Sequence, residues 1–190
     1  MRRVFLGTGK LLACILLLLY PASASNQAVT SQVESAYSQG ISALQQRDLL
    51  AARAAFEKVV RLAPRSPEGH NSLGWVLLLQ GQLNEALSHF RTAVRLNPDF
   101  PQARINLANA LAQSGKPAEA AIQAREAVRI SSDDSEAYRT LGRALSLSGD
   151  LQGSLTALQR GVELDPERPD LRDELGAVLV RNGRLDEAAL

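Results

Sequence analysis

The chain has 190 residues, 45% of them hydrophobic and 22% charged, and its 21 basic and 20 acidic side chains leave a formal charge of +1. So even a balance offers no basic face to displace the counterions of a nucleic acid, and one cysteine excludes an internal disulfide. With two histidines and no Gly-rich phosphate loop, the composition points away from metal, cofactor and nucleotide chemistry.

Residues 1–24 differ from the rest. Arg2, Arg3 and Lys10 make a basic start, Leu11 to Tyr20 is an apolar run, and Pro21-Ala22-Ser23-Ala24 ends in a small-x-small pattern. This predicts a secretory signal peptide cleaved after Ala24, and hence a periplasmic or secreted protein. The apolar run is half of the about 20 residues that a membrane-crossing helix needs, so no stable membrane span is expected in the mature form. The alternative is a membrane anchor, through an uncleaved leader or a lipidated Cys14 in Leu11-Leu12-Ala13-Cys14. Against lipidation, the apolar stretch Ile15 to Leu19 follows the cysteine instead of preceding it. Without the leader, 18 basic and 20 acidic residues remain, a charge of −2, and no cysteine. Residues 25–32 read as a short linker.

From residue 33 the chain repeats itself every 34 residues. Leu62-Ala63-Pro64, Leu96-Asn97-Pro98, Ile130-Ser131-Ser132 and Leu164-Asp165-Pro166 recur at that spacing, as do Gly40, Gly74, Ala108, Gly142 and Gly176. Two amphipathic helices fill each unit. Pro67, Pro101 and Pro169 open the first helix of a unit (helix A), where a missing N–H costs nothing; Gly81, Gly115, Gly149 and Gly183 mark the turn to helix B. Small residues at Gly74 and its equivalents, and at Ala52, Ala86, Ala120, Ser154 and Ala188, let the two helices cross closely, with Phe56 or Phe90 expected to fill the gap between repeats. The units are 33–66, 67–100, 101–134, 135–168 and a partial 169–190. The last breaks off within helix B, which predicts the front part of a longer natural design or a truncated gene product, with the Leu175, Val178 and Leu179 side of its helix A lacking most of its partner.

These residues resemble tetratricopeptide repeats. Leu73, Gly74, Ala86, Phe90, Ala93 and Pro98 follow the family pattern in the second unit, and Tyr138, Leu141, Gly142, Leu158 and Pro166 in the fourth. His70 and Arg104 stand where the family has its first aromatic, Ala124 where it has Phe, and Ser132 where it has Pro. The resemblance implies an all-α, right-handed superhelical solenoid of stacked helix-turn-helix repeats, with a groove lined by helix A that binds a protein or peptide.

No catalytic constellation is visible. His70 and His89 are 19 residues apart and are expected on different faces of their repeat, with no third ligand spaced to join them. Glu34, Glu68, Glu136 and Asp170 recur near the start of helix A, where a carboxylate favours the helix dipole. In the groove, helix A is expected to present Tyr37, Ile41 and Leu44; Asn71, Trp75 and Leu78; Ile105, Asn109 and Ala112; Arg139, Arg143 and Ser146; and Asp173, Ala177 and Val180. Trp75 and Leu78 would take an apolar side chain, and Arg139 and Arg143 a carboxylate. The competing expectation is that these apolar residues pack between repeats and that the arginines pair with Glu136 or Asp173.

Two known modes of the family do not fit. The carboxylate clamp is missing, since its positions hold Asn71, Trp75, Asn106, Glu136 and Thr140, or in the alternative register Tyr37, Ile41, Ser72, Gln102 and Asn106. The asparagine ladder of O-linked N-acetylglucosamine transferases is reduced to Asn106 among Ser38, Ser72, Thr140 and Glu174. The expected function is a non-catalytic interaction scaffold of the cell envelope. The alternatives are the recruitment module of a longer enzyme, such as a glycosyltransferase-like protein, and a membrane-tethered assembly factor.

Overall fold

The computed structural model describes the backbone of residues 9–184 and 186, and side chains from residue 27 onward. The expected leader, residues 1–24 with its cleavage site, therefore has no side chain among the described residues. The described residues form helices and connecting turns, in the order α1 (Gly9–Gln45), α2 (Leu49–Leu62), α3 (Pro67–Leu79), α4 (Leu83–Leu96), α5 (Pro101–Gln113), α6 (Pro117–Ile130), α7 (Ser135–Ser148), α8 (Leu151–Leu164) and α9 (Pro169–Arg181). It is an all-α helical repeat array. Among the described residues, no helix is long and apolar enough to cross a membrane. The chain divides into two compact units, residues 1–64 and 65–190.

The first unit is the hairpin of α1 and α2. Helix α1 runs unbroken through residues 25–32, the stretch that reads as a linker in the sequence. Ala36, Ala43, Ala52, Phe56 and Val59 are buried in the hairpin, and the Tyr37 ring meets Phe56 edge-on at 5.5 Å and 72°. At the turn, Arg47 adopts a left-handed φ of 59°, and the Asp48 carboxylate caps α2 by accepting the Ala51 N–H at 2.9 Å.

In the second unit each helix A (α3, α5, α7, α9) packs on the helix B beside it in sequence. The helices A also touch one another, α3 with α5, α5 with α7 and α7 with α9, so their exposed sides make one continuous row. Local chemistry starts and stops these helices where the sequence predicts. Ser66 Oγ accepts the Gly69 N–H ahead of Pro67, the Asp134 carboxylate caps α7, and the Asp150 carboxylate accepts the Gly153 N–H at 2.8 Å. At the other end Gly81 turns the chain with a φ of 77°, and a Cβ added there would meet nothing, so the requirement is conformational.

The crossing of helix A over helix B is governed by a pair 16 residues apart. A Cβ on Gly74 would lie 2.8 Å from the Phe90 ring. One repeat later Ala108 and Ala124 hold the same two positions, both fully buried: the first has grown by a methyl and the second has shrunk from an aromatic. Thus the missing aromatic at Ala124 is matched by the missing glycine at Ala108. In the fourth repeat Ser154 Oγ donates to the Gly142 carbonyl at 2.7 Å, which satisfies a hydroxyl fully buried at the crossing.

The expected exposure at the end of the array does not occur. Val178 and Leu179 are buried with Leu171 against Leu155 and Leu158, and Leu175 packs at the edge of the same cluster. Their helical spacing turns this stripe toward α8, the preceding helix B.

Candidate functional site

The row of helices A is cross-linked by polar side chains one repeat apart. Asn106 Nδ2 donates to Asn71 Oδ1 at 2.9 Å and links α5 to α3, while Gln102 Nε2 donates to Asn106 Oδ1 at 3.1 Å. Arg143 Nη2 donates to Asn109 Oδ1 at 3.1 Å and links α7 to α5. Arg139 Nη1 donates to Glu174 Oε1 at 2.7 Å, and Arg181 donates to Ser146 through both its hydroxyl and its carbonyl; these two contacts link α9 to α7. Asn71, Asn109, Arg139 and Arg143, all expected in the groove, are therefore rungs of one face.

The two arginines of α7 differ in what they have left to offer. Arg139 is bidentate to Glu136, at 3.0 and 2.6 Å, bonds Glu174 and stands 3.4 Å from Asp170. Arg168 adds a second guanidinium, bonded to Glu136 and, at 2.8 Å, to Asp170. With 17% of its side chain exposed and three carboxylates around it, Arg139 is consumed by the protein, as the competing expectation has it, although its partners are Glu136, Glu174 and Asp170 and not Asp173. Burial raises the Glu136 carboxyl, but hydrogen bonds and charge from Arg139 and Arg168 outweigh it and hold the group below its ordinary value. The hydrogen bond from Arg168 likewise lowers Asp170. Glu136 and Asp170 thus serve more than the helix dipole.

Arg143 instead borders open space. It lines a pocket of about 230 Å³ with Ser146, Leu147, Ala177, Arg181 and Glu174, whose carboxylate is bonded to Arg139, and an adjoining one of about 390 Å³ with Ala112, Gln113 and Leu147. Leu147 is 54% exposed between them. On α3, Trp75 is 40% exposed and Leu79, one turn on, 47%, while Leu78 is half-buried. Among the other expected groove residues, Ile105 is 1% exposed and packs on Ala127 and Ala137, between its own repeat and the next; Ser146 is buried as well. Both are corrected from exposed to buried. Ile41 is exposed and Tyr37 half-buried, both on the first unit. What the sequence reading missed is the adjacent repeat phase, Leu79, Gln113, Leu147 and Arg181, whose own 34-residue spacing was available as a signal.

A second correction concerns the histidines. Far from occupying different faces, His70 on α3 and His89 on α4 meet with their Nδ1 atoms 3.0 Å apart. The same two phases meet in the next repeat, where Arg104 Nη1 donates to Gln123 Oε1 at 2.9 Å.

Three comparisons place the chain among known proteins. No curated protein matches it. Among solved structures it is similar to MamA residues 41 to the end from Desulfovibrio magneticus RS-1, with a TM-score of 0.74, 23% identity, and coverage of 83% of this chain and 89% of that one. It is also similar to YrrB, described as a TPR protein with an unusual peptide-binding site, with a TM-score of 0.67, 22% identity, and coverage of 86% and 87%. The O-GlcNAc transferase of Thermobaculum terrenum matches at a TM-score of 0.67 and 24% identity over 71% of this chain, but over 26% of its own length. Identities this low show a shared fold. Tetratricopeptide repeat family patterns match residues 37–99 and 139–190, and a second set of them matches residues 77–145. With more than half of its length matched in this way, the chain belongs to the tetratricopeptide repeat family.

Proposed function

We propose that this protein is a non-catalytic scaffold that binds an extended peptide along its row of helices A, holding a carboxylate at Arg143 and apolar side chains at Leu147 and at Trp75 with Leu79. The fold is that of a protein–protein interaction scaffold. The observation that carries the finer reading is the contrast within α7: Arg139 is surrounded by Glu136, Asp170 and Glu174, whereas Arg143 gives one hydrogen bond to Asn109 and faces two pockets. A guanidinium beside an exposed leucine suits a carboxylate next to an apolar residue, and tryptophan is enriched at binding hot spots. The leader-like N-terminus supports a periplasmic or secreted location, which the mass of the mature N-terminus tests: a start at Ser25 agrees, and an intact or lipidated N-terminus overturns it.

The test of the site is a library of short apolar peptides in free-acid and amidated pairs, measured by fluorescence polarisation. Free-acid peptides should bind more tightly, and the advantage should fall at least tenfold, about 1.4 kcal/mol, in Arg143→Gln. Trp75→Ala should weaken both members of each pair and leave the fold intact. Equal affinity for both members, or full affinity in both variants, overturns the proposal.

A further inference from the structure

We propose that His70 and His89 form a two-histidine site for a divalent transition-metal ion, with copper(II) bound most tightly. The site joins α3 to α4 through residues that the peptide proposal does not use, and it is independent of that proposal. Its basis is the 3.0 Å between the two Nδ1 atoms, one on α3 and one on α4. Two imidazole nitrogens bound to one ion at about 2.0–2.1 Å stand about 2.9 Å apart in a right-angled arrangement and about 3.4 Å apart in a tetrahedral one. The observed separation falls between these limits, so the backbone already brings the donors to a chelating distance.

The ring centres are 5.2 Å apart with 30° between the planes, so the nitrogens lie near the line joining the rings. Each ring then has to turn about its Cβ–Cγ bond to aim its lone pair at a shared ion. Both side chains are half-buried, on a surface that water reaches. Neutral imidazole is the commonest protein ligand for such ions, and first-row affinity rises to copper(II). Among the described residues no third His, Cys, Asp or Glu completes a cluster, so water takes the remaining positions and the site is an open one of modest affinity. Metal binding needs both Nδ1 lone pairs, so the proton between the two nitrogens moves to Nε2 of the ring that carried it.

The rival account is that the pair only ties α3 to α4, as Arg104 and Gln123 tie α5 to α6. The test titrates copper(II), and separately nickel(II), into the full chain without a polyhistidine tag, followed by calorimetry and by the nitrogen hyperfine pattern of the copper spectrum. The variants are His70→Asn and His89→Asn, since an asparagine amide keeps a hydrogen-bonding group near the former Nδ1. One copper per chain with a two-nitrogen signature, a rise in thermal midpoint with metal, and at least a tenfold loss of affinity in each variant are expected. Copper uptake by the wild type that neither variant reduces, or no uptake at all, overturns the site and leaves the histidines as an interhelical tie.

Discussion

Gly142 and Leu158 meet at a helix crossing with no room for a methyl group: a Cβ on the glycine would lie 2.5 Å from Leu158 Cγ. Because Cγ is the branch point and not the flexible tip of the leucine, relief requires the helices to part. Gly142→Ala should therefore destabilise the protein by about 1–3 kcal/mol, read as a lower midpoint in thermal or denaturant unfolding. Adding Leu158→Ala recreates the Ala108 and Ala124 pair of the preceding repeat, so the double variant should lose less than the sum of the single ones. Strict additivity would show that the two positions are not coupled.

Arg47 occupies the phase held elsewhere by Gly81, Gly115, Gly149 and Gly183, and like them it has a positive φ, here 59°. A side chain with a Cβ is strained in that region, so Arg47→Gly should stabilise the α1–α2 hairpin by about 1 kcal/mol. Chemical denaturation, or slower proteolysis near the turn, checks it; an unchanged or lower stability would count against strain at this residue.

Arg139 holds Glu136, Glu174 and Asp170 together, and Arg139→Gln leaves their charges without the guanidinium that bridges them. Because solvent reaches part of this network, the expected loss is about 1–2 kcal/mol. The Glu136 carboxyl is lowered in the folded protein, so its contribution is complete above the ordinary carboxyl value of 4.5 and is lost as the pH falls through its folded value. The acid limb of the stability profile should be shallower in Arg139→Gln than in the wild type. Parallel profiles would remove the network as its cause.

Asn106 is 6% exposed, donates to Asn71 and accepts from Gln102. Asn106→Leu deprives both partners of their bond and should cost about 1–2 kcal/mol, with a matching penalty for Asn71→Leu that is not additive with it. A double-mutant cycle on thermal midpoints measures this coupling, and a coupling energy of zero would deny the rung a stabilising role.

Much of the architecture is legible from residue types because it rests on local stereochemistry. Pro67 can open a helix and Gly81 can turn left-handed whatever surrounds them, and a 34-residue recurrence of such signals admits one register. The reciprocal change at Ala108 and Ala124 was also present in the sequence, as two positions whose connection appears only once the fold buries both.

The chemistry of the helix A face was less legible. Asn71, Trp75, Asn109, Arg139 and Arg143 follow from helical periodicity, which tells which side of a helix a residue takes but not what crosses from the neighbouring helix. Arg139 and Arg143 are one turn apart and look equivalent, yet the offset between α7 and α9 carries Glu174 to the first, while the second turns to Asn109 on α5. For the same reason His70 and His89, assigned to different faces, meet at 3.0 Å. Periodicity within a helix is set by backbone geometry, and so it can be read from the amino-acid order. Contacts between helices depend on how far each slides along its neighbour, which the packing of pairs such as Gly74 with Phe90 determines only once the chain has folded.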